Sequence, residues 1–275
     1  MDIRCPLRQY IYKRNTQLSR RFNMKKTVNK ETAAVKEKLL FTPERKVLDA
    51  DAAKHMAQRC SDYNDSRSEA RNFKCTEFRG ITFKGEDLSG IEAHYSRFID
   101  CKFEEVKLDR MEGYFMELNN CEFKNCSLEN ANFSFAKISD CNFYNCNLNG
   151  VDMPFASGNW AATSCLMERS TANNANLHLV LSNVNALGFE ANCAKIELDI
   201  TGSSLRRSEF NDSTVSGKVM QSDLTGAELN RADLAGLEIV DCAIHNMETE
   251  DSSGDLFDST IEDALDELEE GILEE

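Results

Sequence analysis

Apolar or very small residues recur at every fifth position from Phe73 to Met153, and this period is the clearest pattern in the chain. The positions are Phe73, Phe78, Phe83, Leu88, Ala93, Phe98, Phe103, Leu108, Gly113, Leu118, Phe123, Leu128, Phe133, Ile138, Phe143, Leu148 and Met153. An α-helix repeats every 3.6 residues and a flat strand every 2.0 residues, so neither produces a sustained period of five. A chain that turns a corner every five residues does produce it. The pattern therefore predicts a solenoid, in which each coil buries its apolar face against its neighbours.

A second spacing, of twenty residues, groups identical side chains. One column holds Phe83, Phe103, Phe123 and Phe143, and the next holds Leu88, Leu108, Leu128 and Leu148. Residues two positions before the centres are mostly short, and Cys121 and Cys141 are among them. Four faces of five residues would make one coil, with a large and a small side chain of each face filling the interior at the density of a protein core. We predict that both columns and these two cysteines form the structural core.

Several segments fit the loose consensus A-(D/N)-L/F-x-x, such as Ala131-Asn132-Phe133, Cys146-Asn147-Leu148 and Ala232-Asp233-Leu234. In these segments the chain resembles the pentapeptide-repeat family, and the resemblance extends over about residues 71–247. It implies an all-β solenoid, specifically a right-handed quadrilateral β-helix. An open solenoid end exposes apolar side chains and unpaired strand edges, so we expect short capping helices at both ends.

The segment before the repeats divides into two parts. Residues 1–41 are polar and basic without periodicity, which predicts disorder, and Met24 is an alternative translation start. Thr42-Pro43 is a favourable helix opening, with threonine as N-cap and proline in the first turn. Leu48, Ala52, Met56 and Cys60 follow at intervals of four and predict a helix over about residues 43–60, within an N-terminal cap of residues 42–70.

The tail, residues 248–275, is acidic and predicts an amphipathic helix. Its apolar stripe consists of Ile261, Leu265, Leu268 and Ile272. One interpretation is a cap that folds onto the last coil. The other is a helix for homodimerisation or for a partner, in which Leu265, Leu268 and Ile272 make the contact.

The regular spacing is interrupted near residues 154–166 and again near residues 184–199. A register change of this kind predicts a bulge or a loop. The only tryptophan, Trp160, lies at the first interruption. It either fills an irregular corner of the interior or is an exposed aromatic anchor for a partner. For the second interpretation Phe155, Asn159 and Trp160 are the candidate binding residues.

Charge is distributed unevenly along the chain, whose formal net charge is −15. Residues 1–46 carry +9, residues 47–247 carry −11, and residues 248–275 carry −13. Pairing of the basic head with the acidic tail is therefore one hypothesis. Direct binding of nucleic acid is not expected, apart from the basic N-terminal segment.

The eleven cysteines bear on location and on metal binding. Most fall at the small inward positions, where a free thiol behaves as a small hydrophobe. This predicts inert thiols in a reducing compartment, which favours a bacterial cytoplasmic location. No paired short-spaced cysteine motif indicates a zinc site, and no apolar run reaches the ~18 residues of a membrane span. We expect neither metal nor cofactor.

No sequence motif for catalysis is present: there is no phosphate-binding loop, nucleophile elbow or metalloprotease signature. The four histidines are scattered, and paired acids on the outside of a repeat scaffold usually form a solvated face. The chain is predicted to be a non-enzyme that binds other proteins.

The family resemblance implies one specific partner class. Some pentapeptide-repeat proteins are acidic DNA mimics that bind type II topoisomerases, DNA gyrase or topoisomerase IV, and protect them from quinolones. The repeat region carries a net charge of only −10, whereas B-DNA of its ~40 Å length carries ~25 phosphates. Mimicry would therefore have to be confined to one face. The alternative is a rigid adaptor or a secreted bacterial effector that binds its partner through charged termini and loops.

Overall fold

The structure is a computed structural model, and it describes residues 45–48, 50–62, 72–254 and 257–258. All of these residues belong to one compact unit that begins at Glu44. The predicted disorder of residues 1–41 and the predicted tail helix with Leu265, Leu268 and Ile272 lie outside the described residues. Among the residues described, no helix has the length and apolar character needed to cross a membrane.

In the described residues, fourteen parallel strands form one continuous sheet that winds into a solenoid. The first seven are short: β1 (Lys46–Val47), β2 (Thr76–Arg79), β3 (Thr82–Lys84), β4 (Arg97–Ile99), β5 (Lys102–Glu104), β6 (Glu117–Asn119) and β7 (Glu122–Lys124). The others are β8 (Lys137–Tyr144), β9 (Ser157–Thr163), β10 (Asn176–Ser182), β11 (Lys195–Thr201), β12 (Thr214–Met220), β13 (Leu237–Val240) and β14 (Phe257–Asp258). Each pairs with the strand one coil away, as Phe83 with Phe103 and Phe103 with Phe123. The prediction of a right-handed quadrilateral β-helix is confirmed.

We number the four faces by their central residues. Face 1 is centred on Phe73, Ala93, Gly113 and Phe133, face 2 on Phe78, Phe98, Leu118 and Ile138, face 3 on the phenylalanine column, and face 4 on the leucine column. All of these centres except Gly113 are among the buried core residues, at most 3% exposed. The phenylalanines of face 3 are stacked face to face, with ring centroids 4.5 Å apart for Phe103 and Phe123. Successive coils pair in register, so the same residue type occupies the same position from Phe83 to Phe143.

The N-terminal cap differs from the sequence prediction. Its helix, α1, spans Ala50–Asp62 and therefore begins about seven residues later than expected. The chain before it pairs as β1 with β2, which extends the sheet of face 2 by one strand. The buried side of the helix also differs from the prediction: Ala53 and Ala57 are buried, whereas Ala52 is exposed.

An ion-pair network fastens this cap to the coils. The Arg45 Nη2 donates to Glu117 Oε1 at 2.7 Å, and its Nε donates to the carbonyl of Tyr95 at 3.1 Å. Arg97 lies between Glu77 and Glu117 and donates to both carboxylates. Burial of Glu117 opposes its ionisation, but its two arginine partners outweigh that effect and hold its pKa below the ordinary value.

Of the two outcomes that the sequence predicts at residues 154–166 and 184–199, a bulge or a loop, no loop is formed, because both segments continue to bridge from coil to coil. The first contains strand β9, and the second contains turns and the start of β11. The corner between faces 2 and 3 is made at Gly80, Asp100, Asn120 and Asp140, all with positive φ. It is absent from β9 to β12, which run straight across both faces. One residue fewer is needed, so the coil shortens from twenty residues to nineteen.

The missing residue explains why the five-residue pattern seems to break. The register shifts between Ser139 and Cys141, so that Cys141 pairs with Trp160. The solenoid also continues past residue 247, because Glu248 and Ser253 bridge to the preceding coil. The first residues of the acidic tail are therefore part of the last described coil.

Candidate protein-binding surfaces

One row of face 1 is strongly acidic. It consists of the residues that immediately precede the face 1 centres and that bridge from coil to coil in parallel register. In chain order they are Asn72, Glu92, Glu112, Asn132, Asp152, Thr171, Glu190, Glu209, Glu228 and Glu248. We call these ten residues the acidic row; it contains no lysine or arginine. The four final coils each contribute a glutamate, so their carboxylates follow at the coil spacing of ~4.8 Å.

The equivalent rows of the other faces are mixed in charge. On face 2 the row reads Glu77, Arg97, Glu117, Lys137, Ser157, Asn176, Lys195, Thr214, Asp233 and Ser253. On face 3, Lys218 donates to Glu238 at 2.8 Å. The acidity that the sequence spreads over the whole repeat region is thus concentrated on one face.

A column of asparagines holds the C-terminal part of the acidic row in place. The Nδ2 atoms of Asn192, Asn211 and Asn230 donate to Glu209, Glu228 and Glu248, respectively, at 3.0–3.2 Å. Each asparagine Oδ1 also accepts a backbone N–H from the next coil, as Asn211 does from Asn230 at 2.8 Å. The asparagines are therefore fixed by the main chain, and they in turn orient the glutamates.

The N-terminal part of the acidic row is organised differently. Lys74 forms an ion pair with Glu92, and the His94 ring lies 3.4 Å from Glu112. Asp152 accepts a hydrogen bond from the Thr171 hydroxyl, but burial dominates and raises the pKa of its carboxyl. The N-terminal carboxylates are accordingly more neutralised or more buried than those of the last four coils.

A ladder of aromatic side chains lies along the corner between faces 1 and 2. It consists of Tyr95, Phe115, Phe135 and Phe155, which we call the corner ladder. Their rings are stacked with centroids 5.1, 4.8 and 4.9 Å apart and with interplanar angles of 19° or less. All four are partly accessible, and Phe155 is 37% exposed. The ladder therefore presents stacked ring edges over about 15 Å of the surface.

The three candidate residues of the first interruption lie in different environments. Phe155 is the last ring of the corner ladder. Asn159 lies on β9, where its Nδ2 donates to Asp140 Oδ1 at 2.7 Å. Trp160 is only 4% exposed and packs edge-on against Phe143, so its ring is not an exposed anchor. Its buried Nε1 has no hydrogen-bond partner among the described residues.

Sequence reasoning missed the corner ladder and the acidic row as groups. The ladder has a usable signal, because its residues are separated by twenty and occupy the second position after each face 1 centre. The acidic row changes its spacing to nineteen after Asp152, so sorting by twenty residues disperses it.

The described cysteines give no indication of a site. Cys121 and Cys141 are both 1% exposed, and no described cysteine forms a disulfide. Their thiols donate to backbone carbonyls, as Cys121 does to Phe98 at 3.4 Å. Within the described ranges, no group of three or more His, Cys, Asp and Glu side chains is placed to hold a metal ion.

Comparison with known proteins gives one family match. The family model for pentapeptide repeats matches residues 117–153 with eight copies. No match is found among curated proteins.

Among solved structures, the chain is similar to HetL, a pentapeptide repeat protein involved in heterocyst differentiation regulation from the cyanobacterium Nostoc sp. strain PCC 7120. The identity is 13%, over 75% of this chain and 94% of HetL, with a TM-score of 0.35. It is also similar to a trypsin-treated form of QnrB1, a plasmid-mediated fluoroquinolone resistance protein, at 17% identity over 73% and 91% of the chains, with a TM-score of 0.29. A third similar structure is Rfr23 from the cyanobacterium Cyanothece 51142, at 11% identity over 68% and 93%, with a TM-score of 0.15.

The family model covers only part of the solenoid, but the same construction continues on both sides of it. Phe83 and Phe103 precede the matched residues in the face 3 column, and Leu229 and Leu234 follow as buried centres in the last coils. The five-residue period, the coils that it builds and the family match together identify the chain as a pentapeptide-repeat protein.

Proposed function

We propose that this protein is a non-catalytic binding module that occupies the DNA site of a type II topoisomerase, DNA gyrase or topoisomerase IV. The observation that carries the proposal is the acidic row, which concentrates carboxylates on one face of a rigid β-helix. The acidity of a DNA mimic must face the basic DNA site of its partner, and it need not surround the molecule.

Charge spacing supports this assignment for the C-terminal coils. Glu190, Glu209, Glu228 and Glu248 follow one another at ~4.8 Å, whereas phosphates along one DNA strand follow at ~3.4 Å. The row therefore reaches about two thirds of the charge density of a single strand. Asp212, which lies outside the row and three residues after Glu209, is partly neutralised because its carboxylate pairs with Arg231 at 2.8 Å.

The fixed orientation of the glutamate side chains in the acidic row also supports the proposed binding to a topoisomerase. The asparagine column fixes the direction of Glu209, Glu228 and Glu248 before any partner arrives. A preorganised side chain loses less conformational entropy on binding. A solvated acidic face without such support would attract basic partners with less geometric selectivity.

The first test is a DNA gyrase supercoiling assay with the purified protein, with and without a quinolone. We expect either inhibition of supercoiling or protection from the quinolone. The double variant Glu209→Gln/Glu228→Gln should weaken the effect by roughly 2- to 30-fold, since each exposed ion pair is worth ~0.2–1 kcal/mol.

The matched control is Glu197→Gln/Glu129→Gln, which removes the same charge from exposed positions on faces 2 and 4. It should retain the activity of the unmodified protein. Equal losses in the two double variants would show that net charge matters and the acidic row does not. No effect of the unmodified protein on gyrase or topoisomerase IV would contradict the proposed function. Deletion of residues 154–166 is not a suitable variant, because it would remove strand β9 and most of one coil.

A further inference from the structure

The corner ladder places bulky aromatic residues in a backbone conformation that they rarely adopt. Tyr95, Phe115, Phe135 and Phe155 have φ between 56° and 60°, the left-handed region. Glycine, asparagine and aspartate adopt this region most readily, whereas it is unusual for a bulky residue. The corner between faces 2 and 3 follows that preference at Asp100, Asn120 and Asp140, and at the two remaining corners larger residues occur singly, as at Glu105, Arg110 and Arg207. Four successive exceptions at a single corner require a reason.

Core packing does not supply that reason. The interior next to the ladder is already filled by the buried centres of faces 1 and 2, such as Phe133 and Ile138. The ladder rings lie outside that core and stack on one another. The stacking makes the strip rigid, yet it leaves ring edges accessible to solvent. Phenylalanine and tyrosine are among the residue types that are enriched in the cores of protein–protein interfaces.

We propose that the corner ladder is the apolar anchor that docks into a groove of the topoisomerase, with basic residues along one wall of that groove. The inference rests on the proposed function and specifies how the same partner is held. The charge beside the ladder favours such a groove: Glu92 and Glu112 lie three residues before Tyr95 and Phe115 on face 1, and their side chains stay about one third exposed beside Lys74 and His94. Lysine or arginine on that wall of the groove would pair with these carboxylates.

Shape favours a separate partner over a second copy of this chain. The ladder follows an outer corner of the β-helix and is a narrow ridge about 15 Å long. Two such ridges in contact would meet along a line, whereas stable interfaces bury about 1,200–2,000 Å² in total. A ridge buries far more of its surface in a concave groove.

The two surfaces contribute in different ways that an experiment can separate. Attraction through the acidic row is screened by salt, because its carboxylates lie at the surface. Burial of aromatic rings depends little on ionic strength. Loss of the ladder should therefore lower affinity at every salt concentration, whereas loss of the row should reduce the dependence of affinity on salt.

The test is equilibrium binding of the full chain to purified DNA gyrase and to purified topoisomerase IV, each at low and high salt. The ladder variant is Phe115→Asn/Phe135→Asn, since asparagine suits the left-handed conformation and should leave the coils folded. The single variant Phe155→Asn changes the most exposed ring and disturbs one stacking contact only. Gln221→Asn, at a positive-φ corner between faces 3 and 4, is the matched control. Thermal unfolding confirms that each variant is folded.

We expect Phe115→Asn/Phe135→Asn to weaken binding at least tenfold at both salt concentrations, Phe155→Asn to weaken it less, and Gln221→Asn to have no effect. Equal affinity of the folded ladder variants and the unmodified protein would overturn the docking proposal and leave the proposed function intact. A loss that disappears at high salt would also overturn it, because the contact would then be electrostatic. If the unmodified protein binds neither DNA gyrase nor topoisomerase IV at low or high salt, both proposals are overturned.

Discussion

Coils that precede Gly158 contain twenty residues and turn four corners, whereas the coils from Gly158 to Gly217 contain nineteen and run straight from face 2 into face 3. The earlier coils stack phenylalanines on face 3, with Phe103 and Phe123 at 4.5 Å. The later coils bury alternate residues of a single long strand, as in Leu177, Leu179 and Leu181 of β10. On face 3 the earlier coils thus present stacked aromatic rings to the interior, and the later coils present aliphatic side chains from the same parallel sheet.

The two regions also differ on the outside. Tyr95, Phe115, Phe135 and Phe155 occupy the corner between faces 1 and 2 in the earlier coils. The same corner carries Asn174, Cys193, Asp212 and Arg231 in the later coils. The later coils instead carry Glu209, Glu228 and Glu248, whose side chains the asparagine column orients. The chain therefore places an apolar strip in its earlier coils and an ordered acidic strip in its later coils.

The largest effect that we expect in the earlier coils comes from Phe123→Asp. Phe123 is 1% exposed and stacks on Phe103 and Phe143. A charge buried there without a partner should destabilise the protein by more than ~5 kcal/mol and prevent folding. The control Glu122→Ala, which alters the neighbouring outward side chain, should change stability by less than ~0.5 kcal/mol. Circular dichroism with thermal unfolding measures both, and equal midpoints would disprove the assigned inward and outward faces.

An intermediate loss of stability is expected at Gly158 and Gly217, which lie in the first and the last of the strands that run straight from face 2 into face 3. A Cβ on Gly158 would lie 1.8 Å from the carbonyl oxygen of Ile138, and one on Gly217 would lie 2.2 Å from that of Leu198. Gly158→Ala should therefore cost ~3 kcal/mol or more, since backbone of the adjacent coil must move.

Gly80→Ala is the matched control in the earlier coils. Gly80 also has positive φ, but nothing lies within 4 Å of its Cβ position. It should cost only ~1 kcal/mol, from the backbone conformation alone. Urea unfolding of Gly158→Ala and Gly80→Ala distinguishes a clash from a conformational preference. Similar losses for Gly80→Ala and Gly158→Ala would contradict the close approach of the coils at the lost corner.

The smallest effect concerns the junction of the two regions, where Asp152 lies in the acidic row. Burial raises the pKa of its carboxyl above the ordinary value of 3.8. The folded state thus binds the proton more tightly than the unfolded state, so the contribution of Asp152 to stability is present at low pH and is lost as pH rises through the raised pKa. Asp152→Asn should therefore stabilise the protein at pH 7, and the gain should shrink towards pH 4.

Urea unfolding at the two pH values measures this difference. Glu129→Gln, which removes one negative charge at an exposed position, controls for the change in net charge. A stabilisation by Asp152→Asn that is the same at pH 4 and pH 7 would contradict the assigned pKa direction.

Much of the architecture could be predicted because the backbone rule is local. A corner every five residues directs Phe83, Phe123 and Leu128 inward whatever lies further along the chain. Trp160 and the interruptions could not be predicted, because their placement depends on which residue of the preceding coil they pair with. Pairing of Trp160 with Cys141 places the ring inside and makes the apparent loop a strand.

The sequence by itself determined the solenoid, its columns and the positions that face inward, since each follows from the period of five. Tertiary structure alone decided where a corner is lost, and hence which distant residues share a surface. Asp152 and Glu190 lie in one row only because the coils between them are one residue shorter. Stacking fixes that register through hydrogen bonds and packing between coils, neither of which is local in sequence. The candidate binding surfaces depend on this register, and their assignment required the folded chain.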